Sequence, residues 1–167
     1  MINRHSLAVL AVEVGKRLSA LAWTVTTAES CTGGGVAHAI TAVSGSSKWF
    51  EQGFVTYSNR AKHEQLGVKT ILIESSGAVS GAVAVAMADG ALKKSGANVA
   101  VAITGIAGPD GGSSEKPVGT VWIAWSIRHG KTFSRLFHFD DGRKKIREKA
   151  VIAALEGLIT LLDKNTV

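Results

Sequence analysis

The chain has little of what most often announces a function: one cysteine, two prolines and one tyrosine among 167 residues, and no long apolar run. The lone thiol, Cys31, excludes an internal disulfide and a cysteine-based structural zinc site. Such a chain suits a reducing compartment, so a cytoplasmic location is expected. A bilayer-spanning helix needs about 20 consecutive apolar residues, and none is present, so no membrane association is expected. The stretch around Glu13, Lys16 and Arg17 lacks a small-residue cleavage site and reads as an amphipathic helix, not a signal peptide. Acidic residues are the scarcer charge, 13 against 19 Lys and Arg, for a net charge of +6.

Familiar motifs are missing as well. The phosphate-binding string G-x-x-x-x-G-K-[ST] does not occur. The dinucleotide fingerprint G-x-G-x-x-G fails at both glycine clusters, where His38 fills the last position after Gly33 and Gly35 and Ala107 interrupts the second. No G-x-S-x-G elbow surrounds a serine. His5, His38, His63, His129 and His138 form no H-x-H or H-E-x-x-H pair, so neither a metal nor another cofactor is expected.

What remains is a core-forming chain. Hydrophobic residues make up 46%, charged residues 19%, and there are 19 glycines. That balance fits one α/β domain over residues 1–167 with glycine-rich turns, and excludes a coiled coil or a disordered tail. Leu7, Leu10, Val14, Leu18 and Leu21 form the stripe of a first helix over 6–22. Strands are predicted at 23–28, 53–57, 98–104, 119–128 and 132–139, the last two joined by a His129–Gly130 turn. Helices are predicted at 33–42, 59–66, 71–75, 81–94 and 140–162, with a helical turn at 48–50. The order implies a mixed β-sheet with helices on both faces, a three-layer α/β/α sandwich.

The run from Arg143 to Lys149 holds much of the positive charge and reads most simply as a solvated helix face. The net balance also suits an anionic ligand, a phosphorylated metabolite or nucleic acid. Nucleic acid is the weaker option, because the four tryptophans sit in apolar contexts such as Val121–Trp122–Ile123–Ala124–Trp125.

Between Thr26 and Gly35 the chain reads TTAESCTGGG. A β-branched run meets Glu29, Ser30, Cys31 and Thr32, and Gly33, Gly34 and Gly35 lead into an apolar helical segment. Helix N-termini leave backbone N–H groups unpaired, and glycine lets a ligand approach them, so this junction suits an anion or a developing oxyanion. An ordinary Ser or Thr helix cap is the plainer alternative. Two more glycine- and hydroxyl-rich segments, Tyr57 to Lys62 and Thr104 to Gly112, also fall at predicted strand ends. Open α/β sheets bind ligands there, so the three loops together point to a site.

Taken jointly, TTAESCTGGG, SGSSKWFEQGFVTYSNRAKHEQLGV, GAVS and AITGIAGPDGGSSEKPVGTVWIAW resemble the CinA carboxy-terminal domain family, from the first helix to the last. That family includes stand-alone bacterial nicotinamide mononucleotide deamidases, and the single-domain form is expected here. The resemblance implies hydrolysis of nicotinamide mononucleotide to nicotinic acid mononucleotide and ammonia, by a Ser/Lys pair without metal, in pyridine-nucleotide recycling. It implies Ser30 as nucleophile, Lys62 of the Y-S-N-x-x-K motif as its base and Tyr57 as their catalytic neighbour. Thr104, Gly105, Gly108 and the rest of TGIAGPDGG would line the substrate site. Glu29, Cys31, Thr32, Gly33 and Gly34 beside the nucleophile, with Arg143 and Arg147 toward the phosphate, complete the expected substrate contacts.

The chemistry is coherent. Lysine activates serine only when burial or a nearby cation lowers its pKa. Lys62, on a short helix against Val55 and Leu66, is placed for burial, and a substrate pyridinium would act in the same sense. Cys31 is a rival nucleophile without an evident histidine partner, and packs more simply as a small hydrophobe. Many family members read G-D-R before the final helix, whereas this chain has Asp141–Gly142–Arg143. A homo-oligomer is expected, through exposed apolar positions on the first and last helices. Two alternatives stay open: a paralogue that binds a nucleotide or a partner without turnover, and a nucleic-acid accessory protein.

Overall fold

In the computed structural model, which describes residues 6–165, helix α1 (Leu7–Leu21) is capped by the Ser6 hydroxyl and stops where Ala22 turns left-handed. Strand β1 (Val25–Glu29) follows, then α2 (Gly35–Thr41), a 3-10 turn (Ser46–Lys48) and β2 (Phe50–Val55). Helices α3 (Asn59–Leu66), α4 (Thr70–Ser76) and α5 (Gly81–Ser95) lead to β3 (Val99–Gly105), β4 (Thr120–Ile127), β5 (Phe133–His138) and α6 (Arg143–Asp163). The sheet order is β2-β1-β3-β4-β5. The first three strands are parallel, and β4 and β5 pair antiparallel. The result is the mixed-sheet α/β/α sandwich expected from the element order. No helix among the described residues is long and apolar enough to cross a membrane.

Two-residue alternation splits the core into two layers. Val99, Val101 and Ile103 of β3 face a cluster built with α1, α2 and α6, whereas Ala100 and Ala102 face α5 and its neighbours. The crossover from β1 to β2 runs through α2, and the return from β2 past β1 to β3 runs through α3, α4 and α5. Right-handed connections running in opposite directions put their helices on opposite faces, and α2 and α5 do lie in different layers. Loops at the carboxyl ends of β1 and β2 therefore diverge and leave a crevice, which the loop after β3 borders on its other side.

Several boundaries move. The second strand starts at Phe50, not 53, because it pairs with β1 from Val25 onward; as a largely exposed edge strand it carries little alternation at Glu51–Gln52. The helical turn lies at Ser46–Lys48 and Phe50 is in the strand. Helix α6 starts at Arg143, since the Gly142 backbone is extended, and α2 starts at Gly35, since Gly33 and Gly34 have positive φ. The apolar faces of α1 and α6 pack on each other and the sheet. Of the large exposed apolar side chains only Val12 belongs to them; Val55, Ile71, Phe133 and Leu136 lie on β2, α4 and β5. Among the described residues, most of the large exposed apolar side chains therefore lie away from the first and last helices.

Helix α3 is held against α5 at a point with no room for a side chain: a Cβ on Gly90 would overlap the Leu66 carbonyl. Alanine is the better helix former by about 1 kcal/mol, yet here it must push α3 outward. Gly90→Ala is expected to lower stability by about 1–3 kcal/mol in urea unfolding. A variant as stable as the parent would show that α3 is not seated there.

Candidate active site

At the end of β1 the Ser30 N–H still donates to Ile103 O (3.0 Å), which keeps the residue in line with β3. The chain then folds back, with Gly33 N–H donating to Ser30 O (3.0 Å) and Gly35 N–H to Thr32 O (3.2 Å). Gly33 (φ 59°) and Gly34 (φ 97°) adopt backbone conformations that side chains disfavour. No side chain at the Gly34 position caps α2. Glu29 does so from the strand: its carboxylate accepts from Val36 N–H (3.0 Å), Ala37 N–H (2.9 Å) and the Thr32 hydroxyl (2.6 Å). A buried carboxylate at a helix N-terminus satisfies orphan donors and suits the dipole. Ser30 is thereby released from capping.

Lys62 comes from the first turns of α3, whose start is capped by the Ser58 hydroxyl (3.1 Å from Ala61 N–H). Its side chain, 1% exposed, runs inward. The Nζ lies 3.0 Å from Ser30 Oγ, 3.0 Å from Thr56 O and 3.3 Å from Tyr57 O. Burial, which penalises the ammonium form, lowers the Lys62 pKa; the neighbouring Cys31 partly offsets this. The two carbonyls can only accept, so they take two N–H bonds. In the neutral amine the remaining position is a lone pair, directed at the Ser30 hydroxyl.

Around this pair lies a cavity of about 270 Å³. Ser30 and Cys31 line it from the β1–α2 junction, Tyr57, Asn59 and Lys62 from the start of α3. Thr104 to Gly108, Asp110 and Gly111 line it from the loop after β3, and Ala78 and Val79 from the α4–α5 connection. The Thr104 hydroxyl joins those last two segments by donating to Ala78 O (2.8 Å). Arg143 closes one side, donating to Gly108 O (2.8 Å) and to the Tyr57 hydroxyl (3.2 Å). This is the crevice beyond β1 and β2, bordered by the loop after β3.

The expected contacts divide. Ser30, Cys31, Tyr57, Lys62, Thr104, Gly105, Gly108 and Arg143 meet at the cavity. Glu29, Thr32, Gly33, Gly34 and Arg147 do not line it, a correction to the substrate contacts anticipated for them. Glu29 and Thr32 are bonded to each other beneath the α2 turn, and Gly34 lies against Val55. Arg147 sits beside Gly33 and donates to Thr32 O (3.1 Å), so it braces the turn from behind. Tyr57 meets Lys62 through its backbone carbonyl; its ring, 59% exposed, faces Arg143, so the phenol does not orient the amine. Asp141 pairs with Lys149 and Lys145 of α6, and Arg143 keeps its contacts with the cavity. Asn59, Ala78 and Val79 were overlooked, although Y-S-N-x-x-K and G-A-V-S contain them. Among the described residues no three His, Cys, Asp or Glu side chains cluster as metal ligands, and His5 lies outside those residues.

The profile of the family described as "CinA C-terminal domain" matches residues 7–162. A Pseudomonas putida protein named nicotinamide-nucleotide amidohydrolase PncC is 54% identical, across 93% of this chain and 96% of its own length. The protein of that name from Escherichia coli K12 is 52% identical, across 94% and 95%. Among solved structures, the competence/damage inducible protein CihA of Agrobacterium tumefaciens superposes with a TM-score of 0.90 at 49% identity, covering 93% of this chain and 94% of that one. An Escherichia coli CinA-superfamily protein gives 0.92 at 38% identity, covering 96% and 93%.

Cys31 lines the cavity as well, but burial pushes its thiol up to about 12, with the Glu29 carboxylate adding to the shift. At neutral pH it is a thiol and a poor nucleophile. Cys31→Ala is expected to keep at least about a tenth of the parent's activity, and iodoacetamide is expected not to inactivate the parent. Rapid loss of activity on alkylation, absent in Cys31→Ala, would return the cysteine to the list of nucleophiles.

Proposed function

Because the chain belongs to the CinA C-terminal domain family, we propose that it hydrolyses the carboxamide of nicotinamide mononucleotide, giving nicotinic acid mononucleotide and ammonia. The observation that carries this is the 3.0 Å approach of a desolvated lysine amine to a serine hydroxyl inside the cavity. The names of the relatives that cover nearly the whole chain supply the substrate.

The steps follow from the donor and acceptor geometry. Neutral Lys62 takes the Ser30 proton as Oγ adds to the amide carbonyl, and the Thr56 and Tyr57 carbonyls hold the resulting ammonium. The Cys31 N–H, next to the nucleophile, contacts its own thiol but no other described residue, and turns to the oxyanion when substrate is bound. One such donor is typically worth about 3–4 kcal/mol in the transition state. Lys62 then protonates the amide nitrogen, the C–N bond breaks, ammonia departs and the acyl group remains as an ester on Ser30. A water molecule, deprotonated by the same amine, cleaves the ester to the carboxylate and restores Ser30. Arg143, at the cavity edge with its guanidinium part-exposed, is the phosphate partner.

In the proposed role the enzyme works in the cytoplasm on a free nucleotide in pyridine-nucleotide recycling, without nucleic acid and as a homo-oligomer. The open edge strand β5, with Phe133 and Leu136 exposed, supports self-association.

Ammonia release from nicotinamide mononucleotide by the purified protein tests the activity. Ser30→Ala and Lys62→Ala are each expected to lower kcat by about a thousandfold or more, with the double variant no worse than the deeper single. Wild-type release no greater than that of Ser30→Ala would end the case for catalysis and leave a binding module. The lowered Lys62 pKa sets the pH dependence. The base must be neutral, so kcat/KM is expected to rise with pH through that value and level off below the ordinary lysine value of about 10.4. A profile rising only above the ordinary lysine value would remove Lys62 as the base.

A further inference from the structure

The cavity wall carries three charged side chains, Lys62, Asp110 and Arg143, and their situations differ. Lys62 has three oxygen partners, and Arg143 has the Gly108 carbonyl and the Tyr57 hydroxyl. Asp110 makes no hydrogen bond or ion pair with any described residue, although a guanidinium lines the same cavity. Its loop is nonetheless braced. Ile106 and Gly119 exchange hydrogen bonds across the loop base with Thr120 included (Ile106 N–H to Thr120 O 2.9 Å, Gly119 N–H to Ile106 O 2.8 Å), and Lys116 Nζ donates to Ser76 O (3.1 Å).

Asp110 is solvent-exposed at the rim of the cavity, where its free carboxylate bears on the charge that develops inside. Addition of Ser30 to an amide builds negative charge on the carbonyl oxygen, and a nearby anion opposes that unless a cation lies between them. We propose that Asp110 is the residue that selects a positively charged ring: its carboxylate faces the pyridinium of the bound nucleotide, while Arg143 takes the opposite, anionic end. The inference rests on the amidohydrolase function proposed above and adds the feature of the substrate being recognised. The wall thus offers one unpaired anion and one cation to a dipolar ligand. An uncharged ring of the same shape, as in the reduced dihydropyridine nucleotide, gains nothing from Asp110.

Asp110→Asn keeps the shape and removes the charge. The experiment measures kcat and KM for nicotinamide mononucleotide, and Ki for its reduced form as a competitor, in the wild-type chain, Asp110→Asn and Asp110→Glu. Asp110→Asn is expected to raise KM about tenfold, more than it changes kcat, and to move Ki by less than about twofold. Asp110→Glu is expected to recover most of the KM. An unchanged KM overturns the inference, and so does a KM and Ki that rise by the same factor, which would mark a contact with the ribose instead. Wild-type protein that releases no ammonia would count against the amidohydrolase function itself, a separate outcome.

Discussion

The site depends on one buried amine. Lys62 is 1% exposed and has two backbone carbonyls and a serine hydroxyl for company, with no carboxylate bonded to it. A lysine in that setting has a lowered pKa, because protein replaces the water that would solvate an ammonium. The fold carries the consequence. A pKa lower in the folded state means that the unfolded chain binds more protons between the folded and unfolded values. Stability therefore declines as pH falls from the ordinary lysine value through the folded one, and remains reduced at every pH below it. The packing of α3 on α5 at Gly90 and the Ser58 cap offset that cost by fixing the helix that bears the lysine.

The same economy governs the serine. Ser30 precedes the Gly34 cap position of α2 and takes no part in capping, because the Glu29 carboxylate accepts from the first free N–H groups of the helix. Strand geometry makes this possible: successive side chains point to opposite faces, so Glu29 reaches under the turn while Ser30 does not. Arg147 holds the turn from the other side through Thr32 O. Residues outside the cavity thus fix the rotamer and exposure of the one that faces Lys62, as second-layer contacts must if a reactive pair is to be held near 3 Å.

Much of this was legible from residue order. The Val/Ala alternation of NVAVAIT announced a strand buried on both faces, and the three polar segments at strand ends marked the crevice. The long strings shared with the CinA family pointed to Ser30 and Lys62, 32 residues apart, which no local pattern joins. What was not legible depends on neighbours supplied by tertiary packing. Arg143 and Arg147 share a side of α6 by spacing, yet one turn of helix separates the cavity mouth from the back of the α2 turn. Tyr57 looked like a partner for the lysine because the two share a motif, but the backbone makes that contact while the ring turns outward. Glu29 beside a nucleophile reads either as a wall residue or as a brace bonded to loop N–H groups, and the direction of its side chain decides for the second.

Charge order ties the proposed chemistry to the architecture. Before attack, a substrate cation near Lys62 further disfavours the ammonium and so favours the base in its working form. After attack the proton is on Lys62, and the oxyanion lies between that ammonium and the pyridinium, so opposite charges become neighbours as the barrier is crossed. Asp110, on the loop after β3, and Lys62, on the helix after β2, enter the cavity from different elements. That separation matters: a carboxylate bonded to Lys62 would hold it as an ammonium and abolish the base. The divergence of the loops after β1 and β2, with the β3 loop beside them, lets one cavity keep an anion for the ring and an amine free of carboxylate partners for the serine.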